Sequence, residues 1–138
     1  MRRPRRLAII AIGCALLVYP SVAAAASPRA QRSVAGVRAT LRAYASALLA
    51  GNGKAGCALL TAAAQKEVAK ANHVSSCEKV IEISAQLLKS TPRQAAQLRS
   101  YASTVKITLH GSTATAPKFG GGGRSTLTYS HGLWYLAS

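Results

Sequence analysis

The chain has 138 residues, of which 18 are Lys or Arg and three are acidic, for a formal charge of +15 at pH 7. The acids are Glu67, Glu78 and Glu82, so any chemistry that needs an aspartate, the Ser-His-Asp triad included, is excluded. One Phe and one Trp leave too few aromatic faces to stack single-stranded bases, which argues against nucleic acid as a partner.

Residues 1–26 read as an address. Arg2, Arg3, Arg5 and Arg6 form a charged head, Leu7 to Val22 an apolar body, and Ala24-Ala25-Ala26 a small-residue cleavage site before Ser27. The apolar run is about 16 residues, short of the roughly 20 that a spanning helix needs, and Pro20 interrupts its end. A secreted or cell-envelope protein with a cleaved signal peptide is the expectation, with a membrane anchor as the competing reading. Two variants stay open. Arg5-Arg6-Leu7-Ala8-Ile9 is loosely twin-arginine-like, and Ile12-Gly13-Cys14 gives a lipoprotein reading in which Cys14 carries the lipid. Against the latter, Ala15 to Val18 continue the apolar run.

Cleavage after Ala26 leaves Cys57 and Cys77. An even pair in an exported small domain points to a disulfide, with free buried thiols as the alternative. The bridge closes a loop of about 21 residues, which the chain-entropy relation values at roughly 3 kcal/mol. Without the four head arginines, fourteen basic residues face three acidic ones, a net charge of about +11. Such a field attracts anionic envelope polymers and lipid surfaces.

Residues 27–33 form a Pro/Arg/Ser linker. From Val34 the pattern turns helical: Val34, Val37, Leu41, Tyr44 and Leu48 recur at three- and four-residue steps. Gly51-Asn52-Gly53 stops that helix. A second, Ala-rich helix carries Cys57, Leu59 and Leu60 and continues through Glu67 and Val68 to about Lys70. The third starts at a capping box with Ser75 as cap and Glu78 three residues on, followed by an apolar stripe of Val80, Ile81, Ser84, Leu87 and Leu88. Thr91-Pro92 opens a further short helix.

The last 37 residues are β-rich. Val105, Ile107 and Leu109 share one face of a strand that starts near Ser103. Ala114, Ala116, Leu127, Tyr129, Trp134 and Leu136 continue the apolar face, and Thr113, Thr115, Thr126 and Thr128 make a β-branched wet face. The run Gly120–Gly123 is too flexible to specify a tight turn and is expected as a mobile loop.

Helices followed by an antiparallel sheet that closes on Gly132-Leu133-Trp134-Tyr135-Leu136 resemble the nuclear transport factor 2-like superfamily, the cystatin-like α+β roll. Val34 to Leu49 matches its first helix, and Val105-Lys106-Ile107-Thr108-Leu109-His110-Gly111-Ser112-Thr113-Ala114 its first hairpin. The chain looks most like the small exported, disulfide-bearing actinobacterial members. The resemblance implies a cone of helices over a bent sheet, a cavity between them, and a tendency to pair into homodimers. Enzymes of this superfamily, such as ketosteroid isomerase and the polyketide cyclases, use a pocket carboxylate, often Asp, as general base. This chain departs from that pattern.

Glu78 is explained by capping, and Glu82 and Glu67 by solvated helix faces beside Lys79 and Lys70. A catalytic role would need one of them to turn inward. His110 and His131 fall in turns at one end of the meander, roughly 10 Å apart, without a third ligand at hand. Gly120–Gly123 followed by Arg124 leads into a strand, whereas phosphate loops open helices. No catalytic, cofactor or metal set is assigned. The expected fold is a single α+β domain over 34–138, three to four N-terminal helices packed on a four-stranded antiparallel sheet. The candidate cavity is lined by Tyr44, Leu48, Ile81, Leu88, Ile107, Leu127, Tyr129 and Trp134. The expected function is non-catalytic binding of a protein partner or a small apolar ligand. The alternative is a basic accessory protein held on anionic surfaces by charge, which rising salt weakens as the Debye length shrinks.

Overall fold

The computed structural model describes residues 27–138; the leader, its cleavage site and Cys14 lie outside the described residues. The chain folds as α+β, with five helices before a four-stranded antiparallel sheet. The helices are α1 (Val34–Ala50), α2 (Gly53–Cys57), α3 (Ala62–Ala71), α4 (Cys77–Ser90) and α5 (Pro92–Thr104). The strands are β1 (Thr108–His110), β2 (Thr113–Pro117), β3 (Arg124–Ser130) and β4 (Leu133–Leu136), in the order of a simple meander.

Short polar residues start the helices. Ser33, Asn52, Thr61 and Ser76 each accept a hydrogen bond from the backbone N–H three residues on, at 3.0–3.4 Å. Gly51 ends α1 in the left-handed region. The cap of α4 is thus Ser76 rather than Ser75, which places Glu78 in the first turn, where its charge complements the helix dipole.

The expected second helix is two helices. Leu59 and Leu60 leave the helical path so that the Leu59 carbonyl accepts from Leu136 N–H (2.9 Å) and Thr61 N–H donates to the Leu136 carbonyl (2.8 Å). Both leucines become buried against the end of β4, and Thr61 then caps α3. The count is therefore five rather than three or four. The first strand is also shorter than expected. Helix α5 runs through Ser103 and Thr104, and pairing begins only at Thr108.

Alternation in the sheet follows the sequence. Ala114, Ala116, Leu127, Trp134 and Leu136 are buried, while the opposite face pairs Thr113 with Thr128 and Thr115 with Thr126 across strands, all half-exposed. Helix α1 lies against β4 on one side and α4 and α5 on the other. Val37, Thr40, Ile81, Leu127 and Trp134 fill the space between. In α4 the buried face is Cys77, Val80, Ile81 and Ala85; Leu87, expected on it, is 62 % exposed because its side of the helix is turned away from the elements packed on that face.

Cys57 and Cys77 form a disulfide that joins the end of α2 to the first residue of α4. The two helices meet backbone to backbone. A Cβ on Gly53 would lie 2.8–2.9 Å from Glu78 Cβ, Cα and O, so glycine is what permits the approach.

Residues 27–33, expected as a linker, are a fastened strap containing a single 3-10 turn, Pro28–Ala30. Tyr129 donates its hydroxyl to the Ala30 carbonyl (2.8 Å), and Trp134 donates its indole N–H to the Gln31 carbonyl (2.9 Å). Arg29 Nη2 donates to the Trp134 carbonyl at 2.8 Å, and its Nε to Thr40 Oγ1 at 3.3 Å. The free edge of β4 is thereby covered by the strap at Trp134 and by Leu59–Thr61 at Leu136, which leaves no open template there for another strand.

The loop from Lys118 to Gly123 also has more order than its four glycines suggest. Lys118 N–H donates to the Gly123 carbonyl (2.9 Å) and Gly121 N–H to the Lys118 carbonyl (3.1 Å). Phe119 packs edge-on against Tyr101 of α5, whose hydroxyl donates to the Pro117 carbonyl.

Candidate functional site

The Leu60–Leu136 bridge sets α3 beside the ends of β3 and β4, and a cleft of about 440 Å³ opens between them. Ala64, Glu67, Val68 and Ala71, spaced three to four residues apart, present one face of α3 to it. Leu60 and Leu136 line its deeper part, Tyr44 of α1 contributes a wall, and Ser125, Lys118, Ala137 and Ser138 complete the far side. Two alanines on α3 explain the gap: side chains too small to reach the opposite wall leave space where a leucine would have closed it.

The lining is mostly apolar, with a few polar groups at its margin. Glu67 and Lys118 are exposed and stand at the mouth. They form no ion pair; among the described residues the single salt bridge joins Lys79 to Glu82 at 3.1 Å. Burial pushes the Tyr44 phenol above its ordinary 10.0, so at neutral pH it is an uncharged donor. Its hydroxyl makes no hydrogen bond among the described residues.

Of the expected cavity residues, only Tyr44 borders this cleft. Ile81, Leu127 and Trp134 are fully buried core, and Leu48, Ile107 and Tyr129 pack against that core, half-buried. Leu88 is half-buried on α4. The physical reason is volume. Trp134 lies edge-on to Tyr129 with ring centroids 5.3 Å apart, and together with Leu127 it fills the space under the sheet where a cone-shaped cavity was expected. The cleft lies instead to one side, against α3. The spacing of Ala64, Val68 and Ala71 is visible in the sequence as a small-residue face. Its opposite wall is not, because a strand about 70 residues downstream supplies it.

Glu78 and Glu82 are exposed on α4, and His110 and His131 sit exposed at turns, His131 with φ 48°. Among the described residues no group of three or more His, Cys, Asp or Glu could hold a metal ion. The cleft offers apolar surface, the Tyr44 phenol, the hydroxyls of Ser125 and Ser138, the Glu67 carboxylate and the Lys118 ammonium. Compared with protein-family models, curated proteins and solved structures, the chain matches none.

Proposed function

We propose that this chain is an exported, non-catalytic binding domain of the cell envelope whose α3–β4 cleft takes a small, mainly apolar ligand or an apolar segment of a partner. The observation that carries the reading is the cleft. Its volume of about 440 Å³ lies in the ordinary range for small-molecule sites, and an apolar lining with a few polar groups is the usual composition of one. Export is supported by the leader-like first 26 residues and by the Cys57–Cys77 bridge, since such bonds persist in oxidising compartments. The helices-then-meander order supports the likeness to the nuclear transport factor 2-like superfamily, and the lack of any Asp supports a binding rather than an enzymatic role.

A native mass spectrum of the protein purified gently from its own host tests this. The expected result is a mass excess that disappears on denaturation and is absent from Ala64→Phe, which fills the cleft. A bare mass for the wild type, together with unchanged partner recovery in Ala64→Phe, would overturn the reading.

A further inference from the structure

A second recess, of about 280 Å³, lies between α1 and α5, away from the cleft, and its chemistry is different. Its lining is Arg42, Ala45, Ser46 and Leu49 from α1 and Arg99 and Ser103 from α5. The helical spacing produces it: positions 42, 45, 46 and 49 fall on one face of α1, and positions 99 and 103 on one face of α5. Two arginines and two serines, all exposed, therefore line one groove together with Ala45 and Leu49. None of the three glutamates lines the groove.

The neighbouring arginine shows what ordinary use looks like on this interface. Arg38, one turn before Arg42, donates to the Ala102 carbonyl (2.7 Å) and the Val105 carbonyl (3.2 Å), so its positive charge closes the C-terminal end of α5. Among the described residues Arg42 makes one side-chain hydrogen bond, from Nη2 to Ser103 Oγ at 3.3 Å. Arg99 makes no hydrogen bond or ion pair among the described residues. Two like charges facing one groove without a counter-charge repel each other, and an anion between them reverses that sign.

We propose that this groove is a binding site for the phosphate group of an organic phosphate ester. Two planar donor forks and two hydroxyls on two helices suit the tetrahedral spread of oxygens of a phosphate better than the two coplanar oxygens of a carboxylate. The apolar side chains of Ala45 and Leu49 take the carbon substituent of an ester, which inorganic phosphate lacks. The same chemistry occurs in an anionic phospholipid headgroup and in a soluble glycerol phosphate unit. This site is independent of the cleft and of the ligand proposed for it.

The experiment uses the disulfide-bonded protein beginning at Ser27 and two probes, glycerol phosphate followed by amide chemical shifts and phosphatidylglycerol–phosphatidylcholine vesicles followed by flotation. Arg42→Gln/Arg99→Gln is compared with Lys66→Gln/Lys70→Gln, which removes the same charge from α3 and touches neither the groove nor the cleft. The groove variant is expected to bind roughly tenfold more weakly, and the control to stay within about threefold of wild type. Arg42→Lys/Arg99→Lys keeps the charge but loses the forks and is expected to fall between the two, which separates a fork-built site from local charge alone. Binding of glycerol phosphate with shifts centred on α1 and α5 assigns a soluble ester; vesicle binding alone with the same variant ranking assigns a headgroup. Equal losses in both Gln pairs would make the interaction a property of the overall positive field and overturn the site. So would the absence of binding to either probe.

Discussion

The indole N–H of Trp134 donates to the carbonyl of Gln31 across 103 residues, and that carbonyl rests where a side chain on α1 would otherwise be. A Cβ on Gly36 would lie 1.8 Å from Gln31 O and 3.0 Å from Trp134 Cδ1. Strap, helix and sheet therefore meet at one glycine.

Gly36→Ala is expected to push Gln31 outward and leave the buried indole donor without its partner. The loss of that bond alone costs about 1–3 kcal/mol, and the helix-propensity gain of Ala over Gly offsets at most about 1 kcal/mol. Trp134 is the chain's one tryptophan, so its emission reports the change directly. A lowered urea midpoint with a red-shifted emission is expected; wild-type emission would mean that the strap does not depend on this contact.

Replacing Cys57 and Cys77 by Ser together is expected to lower unfolding free energy by roughly 3 kcal/mol through the unfolded chain. The loop Asn72-His73-Val74, which includes a non-glycine residue at φ 54°, lies inside the bridge-closed segment. Amide exchange there is expected to quicken more than in β2 and β3. Uniform acceleration throughout the domain would argue against a local role.

Tyr44 and Tyr101 both have their phenols raised by burial. The folded state then holds protons that the unfolded chain releases once the pH passes the ordinary value of 10.0. The stability contribution of each neutral phenol is full below that pH and falls as pH rises above it through the folded value. Tyr44→Phe is expected to flatten part of this alkaline decline, and Tyr101→Phe another part. Urea melts at several pH values above neutrality measure the slope, and an unchanged slope in both variants would contradict the assignment.

Arg38→Met keeps much of the apolar stem and removes the donors to Ala102 and Val105. A loss of about 1–2 kcal/mol is expected, with fraying concentrated at the end of α5. The check is exchange of the amides from Ala102 to Val105 against those of α4. Equal protection in wild type and variant would show that the cap contributes nothing.

Legibility in the sequence followed locality. The period of Val37, Leu41, Tyr44 and Leu48 and the stop at Gly51 are decided within a few residues, and α1 forms where they place it. So is the alternation that buries Ala114, Ala116, Leu127 and Trp134. The break at Leu59–Leu60 is decided by Leu136, and the fastening of Pro28–Gln31 by Tyr129 and Trp134, far along the chain. Thr104-Val105 illustrates a different competition. Its β-branched residues favour a strand, but Arg38 holds the carbonyls of Ala102 and Val105, and the helix persists to Thr104. The cleft was illegible for the first reason, since its two walls are set by a pairing that no window of the sequence contains.

Arg29 and Trp134 stand 105 positions apart and are in contact. Anything that feeds this polypeptide out in order, ribosome or translocation pore, releases the strap long before the strand that receives it. Until Tyr129 of β3 and then Trp134 of β4 emerge, Ala30 and Gln31 in turn lack the side-chain donors that hold them, and without β4 α1 lacks one of its walls. Completion of the domain thus waits for β4.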